Sequence, residues 1–295
     1  MSMNIALCTD EKYSFPCGVC ITSILENNKD EECNIYILTT GLKKETIEKF
    51  EQLKETYHQK IEIRILDDSI FKELKISDRF PASIYFRYLL PQLLEGEKII
   101  YLDCDIIVTK SLKELWQTNI EGYACGVVED QMSDDIRIQN RLGHNKDYFN
   151  SGMLLINLEF WRKNQVTKQL IEFIYNNPEK CIYPDQDALN YILHNKVKFL
   201  EYKYNFQEFF YLPKEETFLH RSKWRNIIFD GDKPAIIHYT NHIKPWIKSC
   251  THPDKTVFLK YHAISPWKNK KIKSPFTFMQ KISAIIKYPM HVFRQ

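Results

Sequence analysis

The sequence predicts an α/β protein in which a mixed, mainly parallel sheet is flanked by helices on both faces. Two observations lead there. Short apolar runs alternate with helical periodicity in the order β-α-β-α-β within the first seventy residues, the signature of parallel strands joined by crossover helices. The 295 residues are 44% hydrophobic and 27% charged, which supplies the large core a two-faced sheet needs and excludes disordered or collagen-like chains.

The elements follow in order. Residues 4–9 (NIALCT) read as a buried strand, and residues 16–27 as a helix with Ser14 near its N-cap and Pro16 near its first position. Residues 34–39 form the second strand. Leu42, Ile47, Phe50, Leu53 and Tyr57 then recur at helical spacing before a third strand at 61–66. Residues 83–94 read as a helix ending before Gly96, and 98–102 (KIIYL) as a strand running into Asp103-Cys104-Asp105. Further strands are expected at 123–128, 153–158, 196–200 and 235–238, and helices at 165–176 and 186–193.

Composition excludes several function classes. Only eight glycines are present, far below the roughly 7% of an average chain, and they compose neither GxxxxGK[ST] nor GxGxxG. A bound nucleotide would therefore not be held by a glycine-rich loop. No run approaches the ~18 apolar residues of a membrane span, and Asp10 and Glu11 interrupt the N-terminus before a signal-peptide core can form. The eight cysteines are too dilute for a disulfide scaffold and fit reduced thiols in the cytoplasm. Cys17 and Cys20 make one CxxC, read as two small buried side chains one helical turn apart because no other redox feature accompanies them.

Charge divides the chain unevenly. Residues 266–295 hold six lysines, one arginine and no acid, while the rest carries 34 bases against 38 acids. A helix beginning at Ser274-Pro275 would place Phe278, Met279, Ile282, Ile285 and Ile286 on one arc with Lys281, Lys287 and Gln280 off it. That arrangement suits an interfacial helix on anionic lipid; equally, it suits a terminal helix docked on its own domain with solvated lysines. The expected division is a catalytic domain over residues 1–250 and a basic, aromatic extension over 251–295.

Four segments carry chemistry. In Asp103-Cys104-Asp105, residues i and i+2 at a strand end point to one side, at the sheet edge where open α/β folds bind ligands. Two carboxylates ~4 Å apart repel by about 4 kcal/mol at an effective dielectric of ~20, a conflict that a cation removes. The other reading has one Asp capping the next segment and its neighbour solvated. In His238-Tyr239-Thr240-Asn241-His242-Ile243-Lys244-Pro245-Trp246, the strand-end His238 offers an imidazole ligand and Lys244 a point charge for phosphate. In FNSGMLLINL, Asn150, Ser151 and the small Gly152 open a buried strand with polar groups. In YPDQDALN, Asp185 and Gln186 begin a helix and can read sugar hydroxyls, although Asp185 also suits an ordinary N-cap. His242, His252 and His262 are expected on loops or helix surfaces, and the tryptophans in packing. The aromatic run from Tyr202 to Tyr211 either lines a groove or packs beneath a loop.

In this order, these segments resemble glycosyltransferase family 8, the retaining transferases that include bacterial lipopolysaccharide galactosyl- and glucosyltransferases. The resemblance spans about residues 3–250 and extends to the opening strand with Asp10 and Tyr13, and to Arg87 in YFRYLLPQLL. It implies a GT-A fold and a UDP-glucose or UDP-galactose donor with Mn²⁺, or Mg²⁺ in its place. Asp103, Asp105 and His238 would hold the metal. Tyr13 would stack on uracil, with Cys8, Thr9 and Asp10 at the base, Cys104 between the metal ligands, and Asn241 and Lys244 at the phosphates. Arg87, Asp130, Asn150, Ser151, Asp185 and Gln186 would surround the sugar, with Gln186, Asp185 and Asp130 as the catalytic candidates. Two carboxylates and an imidazole suit Mn²⁺ better than Mg²⁺. Asn241 stands where the family commonly has glycine, and asparagine can adopt the left-handed conformation glycine would supply. Lys12 stands where asparagine is frequent.

The expected activity is metal-dependent transfer of glucose or galactose, with retention, to a glycan or glycolipid acceptor on the cytoplasmic face of a membrane. Nucleic acid is not an expected partner. The alternatives are a non-catalytic nucleotide-sugar or glycan-binding module on the same scaffold, and a metal-dependent phosphoryl or nucleotidyl transferase. The last leaves Gln186 and the segments around Asn150 and His238 without a role.

Overall fold

The computed structural model describes residues 2–71, 82–143, 147–229 and 233–272, together with Ile282 and Ile286. In chain order the strands and helices are β1 (Met3–Cys8), α1 (Ser14–Asn27), β2 (Cys33–Thr39), α2 (Lys44–Tyr57), β3 (Lys60–Ile65), α3 (Leu90–Leu93), β4 (Lys98–Leu102), β5 (Ile106–Val108) and α4 (Lys113–Gln117). They continue as β6 (Cys125–Glu129), α5 (Ile136–Leu142), β7 (Phe149–Asn157), α6 (Leu158–Lys163), α7 (Val166–Asn176), α8 (Pro184–Leu193), β8 (Val197–Phe199), β9 (Phe206–Gln207), α9 (Arg221–Phe229), β10 (Ile236–His238) and α10 (Lys255–Ile264). The main sheet runs β3-β2-β1-β4-β7-β6-β8, and a small sheet runs β5-β10-β9.

The first half of the sheet is parallel, as the β-α-β-α-β alternation requires: β2 pairs with β1 and β3, and β1 with β4, all in parallel. β7 breaks the pattern by running antiparallel to both β4 and β6. That reversal positions the site, because it brings the beginning of β7 beside the carboxyl ends of β4 and β6. A register shift between Val127 and Val128 lets β7 leave β6 locally, as a bulge does where a side chain is re-aimed. The Asp103 N–H meanwhile stays bonded to the Gly152 carbonyl at 2.8 Å.

One core face gathers α1, β1, β2 and the small sheet, with Ile5, Ile21, Ile35, Ile100 and Ile237 fully or almost fully buried; the other packs Tyr85, Tyr101, Leu154 and Trp161 beneath α7 and α8. The inner strands β1, β4, β6 and β7 are therefore largely buried on both sides, while the edge strands β3 and β8 carry charged and partly exposed residues. α10 lies against α1, and the Trp267 ring rests on Gly18, where an added Cβ would stand 2.0 Å from Cζ3. Only a residue without a Cβ fits there.

Several local expectations change. The helix read from 16 begins at Ser14, with Tyr13 at its N-cap; Ser14 Oγ donates instead to the Glu11 carbonyl at 2.8 Å. Residues 82–89 form a 3₁₀-helix, and only Leu90–Leu93 is α-helical. The strand read from 153 starts at Phe149, so Asn150, Ser151 and Gly152 are strand residues. Asp185 is not the N-cap of α8, a position held by Tyr183. His252 lies on a loop as expected but is buried, and His262, on α10, is buried too, bonding the Trp267 carbonyl at 2.9 Å. In the aromatic run, Tyr204, Phe206, Phe210 and Tyr211 are packing residues, and Phe209 reaches the cleft described below. The helix expected beyond Ser274 lies outside the described residues except for Ile282 and Ile286.

Candidate active site

Asp103 and Asp105 occupy the turn between β4 and β5. Their convergence therefore arises from the turn and not from strand alternation. Ligand atoms of Asp103, Asp105 and His238 all lie within 4.8 Å of one another. His238 ends β10, whose antiparallel pairing sets it opposite Ile106. Gly152 borders the same space: an added Cβ would stand 2.3 Å from His238 Cε1 and 2.9 Å from Asp103 Oδ2.

A chain of amides fixes the imidazole. Asn205 Nδ2 donates to Asn150 Oδ1 at 2.8 Å, leaving Asn205 Oδ1 to accept from His238 Nδ1 at 2.9 Å. The network thereby assigns the proton to Nδ1 and turns the Nε2 lone pair toward Asp105 Oδ1, 3.3 Å away. This is the orientation a metal-binding histidine requires. Asn205 is fully buried and carries no motif, so nothing in the sequence singled it out.

Each carboxylate also has fixed partners. Asp103 Oδ1 accepts from Tyr101 Oη at 2.6 Å and Arg87 Nη2 at 3.0 Å. Lys244 Nζ lies 2.7 Å from Asp105 Oδ2 and 2.6 Å from the Tyr239 carbonyl. Against the cost of burial, the Lys244 ammonium holds the Asp105 carboxyl far below the usual carboxylate range. The Cys104 thiol turns toward β1, donating to the Cys8 carbonyl at 3.1 Å. The contact with Cys17 and burial push that thiol well up, and burial does the same to Cys8.

Around this triad lies a cleft of about 670 Å³. At one end are Cys8, Thr9, Asp10 and Tyr13, whose ring is 42% exposed and meets Trp246 edge-on at 6.1 Å. Asp10 Oδ1 accepts from the Tyr13 N–H at 2.8 Å and fixes that turn. Toward the other end, Gln186 Oε1 accepts from Asn150 Nδ2 at 3.2 Å and the Ser151 N–H at 3.0 Å, while its Nε2 donates to Asp130 Oδ2 at 3.1 Å. Ser151 Oγ donates to Asp185 Oδ2 at 2.9 Å, and Arg87 bridges Asp103 to Asp185, the latter at 3.2 Å. Burial raises the carboxyls of Asp130 and Asp185 above the ordinary value. The cleft is thus lined by largely buried groups that can accept from or donate to hydroxyls.

Every residue to which the resemblance gives a site role borders this cleft. Asn241 does so in an unexpected way. Among the described residues the non-glycine positions with positive φ are His58 and Gln165, so Asn241 does not adopt the left-handed conformation. Its Nδ2 instead donates to Glu208 Oε1 at 3.1 Å, which gives the side chain a role that glycine could not have. Tyr101, Gln131 and Glu208 also line the cleft without sequence signals of their own.

Fold and site together define a GT-A glycosyltransferase. The chain belongs to glycosyl transferase family 8, whose model matches residues 4–250. It is 33% identical to a lipopolysaccharide 1,2-glucosyltransferase of Escherichia coli over 91% of this chain and 80% of that protein. It is 29% identical to general stress protein A of Bacillus subtilis over 90% of this chain and 94% of the relative. The solved galactosyltransferase LgtC, crystallised with donor and acceptor sugar analogues, superposes with a TM-score of 0.82 at 23% identity, covering 91% of this chain and all of that one.

Proposed function

We propose that this glycosyltransferase moves glucose or galactose from a UDP-sugar to a glycan or glycolipid acceptor, with retention and with a divalent metal held by Asp103, Asp105 and His238. The convergence of those three side chains beside Lys244, in a chain without a glycine-rich phosphate loop, carries the proposal. Two carboxylates and an imidazole whose Nε2 is presented inward fit Mn²⁺, and the missing side chain of Gly152 is what lets the His238 ring take this place. When bound, that ion supplies neutralisation of the diphosphate as the sugar departs.

The other roles belong to the chain itself. Tyr13 offers an exposed ring for the uracil, with Asp10, Thr9 and Cys8 at its edge. Lys244 exchanges its bond to Asp105 for phosphate oxygen and places positive charge where the leaving group becomes negative. Arg87, Asn150 and Ser151 orient the sugar, and Arg87 also locks Asp103 to Asp185. Asp130, Asp185 and Gln186 face the reacting carbon, where their negative charge and the Gln186 carbonyl favour the oxocarbenium-like state. The family match ends at residue 250, but Phe258, Tyr261 and Trp267 belong to the core beside α1, so the chain through Trp267 packs with the catalytic domain.

The basic extension supports a place on the cytoplasmic face of a membrane. Among the described residues no helix is long and apolar enough to cross one. Liposome co-sedimentation of the full chain against a chain ending near 265 tests this: equal binding to anionic vesicles refutes it. For the reaction, the test is UDP release from UDP-glucose, UDP-galactose and other UDP-sugars with Mn²⁺. Release with a hexose donor is expected. Saturable UDP binding without release under any donor or acceptor would leave only a binding module.

A further inference from the structure

An aromatic path leaves the cleft on the side of Asp130. Phe209 lines the cleft, its N–H held by Gln131 Oε1 at 3.0 Å, one residue from Asp130. The Phe218 ring lies 6.4 Å beyond, tilted by only 31°, and is 44% exposed. Phe218 thus adjoins, from outside, a ring that lines the cleft.

The exposed ring is held in place. Its neighbour Leu219 is buried, and the His220 N–H donates to Asp134 Oδ2 at 2.6 Å. Lys223 Nζ inserts among three carboxylates, bonding Glu129, Asp134 at 2.9 Å and Asp147 at 2.8 Å. Those acids belong to the end of β6, the loop after Asp130 and the approach to β7. The turn carrying Phe218 is thus fastened to the segment that carries Asp130, and the position of the ring is fixed relative to the cleft.

A polar fork completes the patch. The Arg137 guanidinium lies 5.5 Å from the Phe218 centroid, oriented by Asp135 through Nε at 3.0 Å and Nη2 at 2.6 Å. Among the described residues its Nη1 has no hydrogen-bond partner. A hexose has a face of C–H groups that suits the negative face of an aromatic ring, and a rim of hydroxyls that suits a guanidinium fork.

We propose that Phe218 and Arg137 form an outer acceptor subsite that stacks the second sugar of an oligosaccharide acceptor while the terminal sugar occupies the cleft beside Gln186. The inference rests on the glycosyltransferase reading and narrows the acceptor to a chain of at least two sugars. The contact of Phe218 with Phe209 of the cleft lining selects this occupant over a second copy of the protein.

The test is retention of the full chain, with UDP and Mn²⁺, on an array of neutral mono-, di- and trisaccharides. Wild type is expected to retain the longer glycans over the monosaccharides. Phe218→Ala should reduce that retention by about 5- to 10-fold, the scale of one aromatic contact, Phe218→Trp should preserve it, and Arg137→Ala should weaken it. Equal retention by wild type and Phe218→Ala overturns the subsite, as does a wild type that favours monosaccharides or retains none. A sedimentation coefficient that falls in Phe218→Ala assigns the patch to a second copy and also overturns it. UDP release by wild type, measured separately, distinguishes failure of the subsite from failure of the transferase reading.

Discussion

Gly152→Ala tests the metal site without touching a ligand. The added Cβ would stand 2.3 Å from His238 Cε1, and reaching the 3.4 Å of ordinary contact requires a retreat of about 1.1 Å. The imidazole cannot swing aside cheaply, because Asn205 holds its Nδ1 at 2.9 Å and β10 holds its backbone. Metal–ligand distances tolerate only about 0.2 Å, so Mn²⁺ affinity should fall by roughly 10- to 100-fold. The packing conflict itself should cost about 1–3 kcal/mol, lowering the thermal midpoint by roughly 2–10 °C while leaving a folded protein. Mn²⁺ titration followed by electron paramagnetic resonance of the free ion reads the first effect, and calorimetric melting the second. A folded variant whose Mn²⁺ affinity stays within about twofold of wild type refutes the placement of the ion between His238 and Asp103.

Further outcomes are expected. Transfer should decline on acidification with a midpoint above the ordinary aspartate value of 3.8, because burial raises Asp130 and Asp185 and protonation removes charge facing the reaction; a pH–rate profile with its acid limb at or below that value contradicts this. The same raised values mean that the native state keeps these protons longer, so their contribution to stability is present below pH 3.8 and is lost as pH rises through the native value. Asn241→Gly should destabilise the fold by about 1 kcal/mol in urea, through greater backbone freedom and the lost bond to Glu208; an increase in stability would show that Asn241 is strained. Lys223→Met should cost about 2–3 kcal/mol, less than a fully buried ion pair because Asp147 is exposed, and no change in the urea midpoint would remove the lysine from its fastening role.

Much of the site was legible because its chemistry is local. Asp103 and Asp105 share one turn, Asp185 and Gln186 one helix start, and His238 and Lys244 one loop, so each group announces itself before folding. The parallel half of the sheet was legible for the same reason, since hydrophobic period and connection length are local properties. The reversal of β7 was not, because its apolar residues would satisfy either direction, and that reversal is what brings Asn150, Ser151 and Gly152 to the edge holding Asp103. Asn205 stayed hidden because its role depends on meeting Asn150 and His238 across three separate strands or loops. Asn241 shows a different limit: its tolerance for the left-handed region was sound chemistry, but Glu208, distant in sequence, offers the side chain a hydrogen bond.

The shortage of glycine gives the central claim its most direct test. If a metal held by Asp103, Asp105 and His238 replaces a glycine-rich loop, the diphosphate and the ion must bind cooperatively, each tightening the other by the same factor. Calorimetric titration of UDP into the protein, with Mn²⁺ and again with excess chelator, measures that factor. Tightening by at least about tenfold in Mn²⁺, equivalent to ~1.4 kcal/mol, is expected. Equal UDP affinity under both conditions would contradict a metal-held diphosphate.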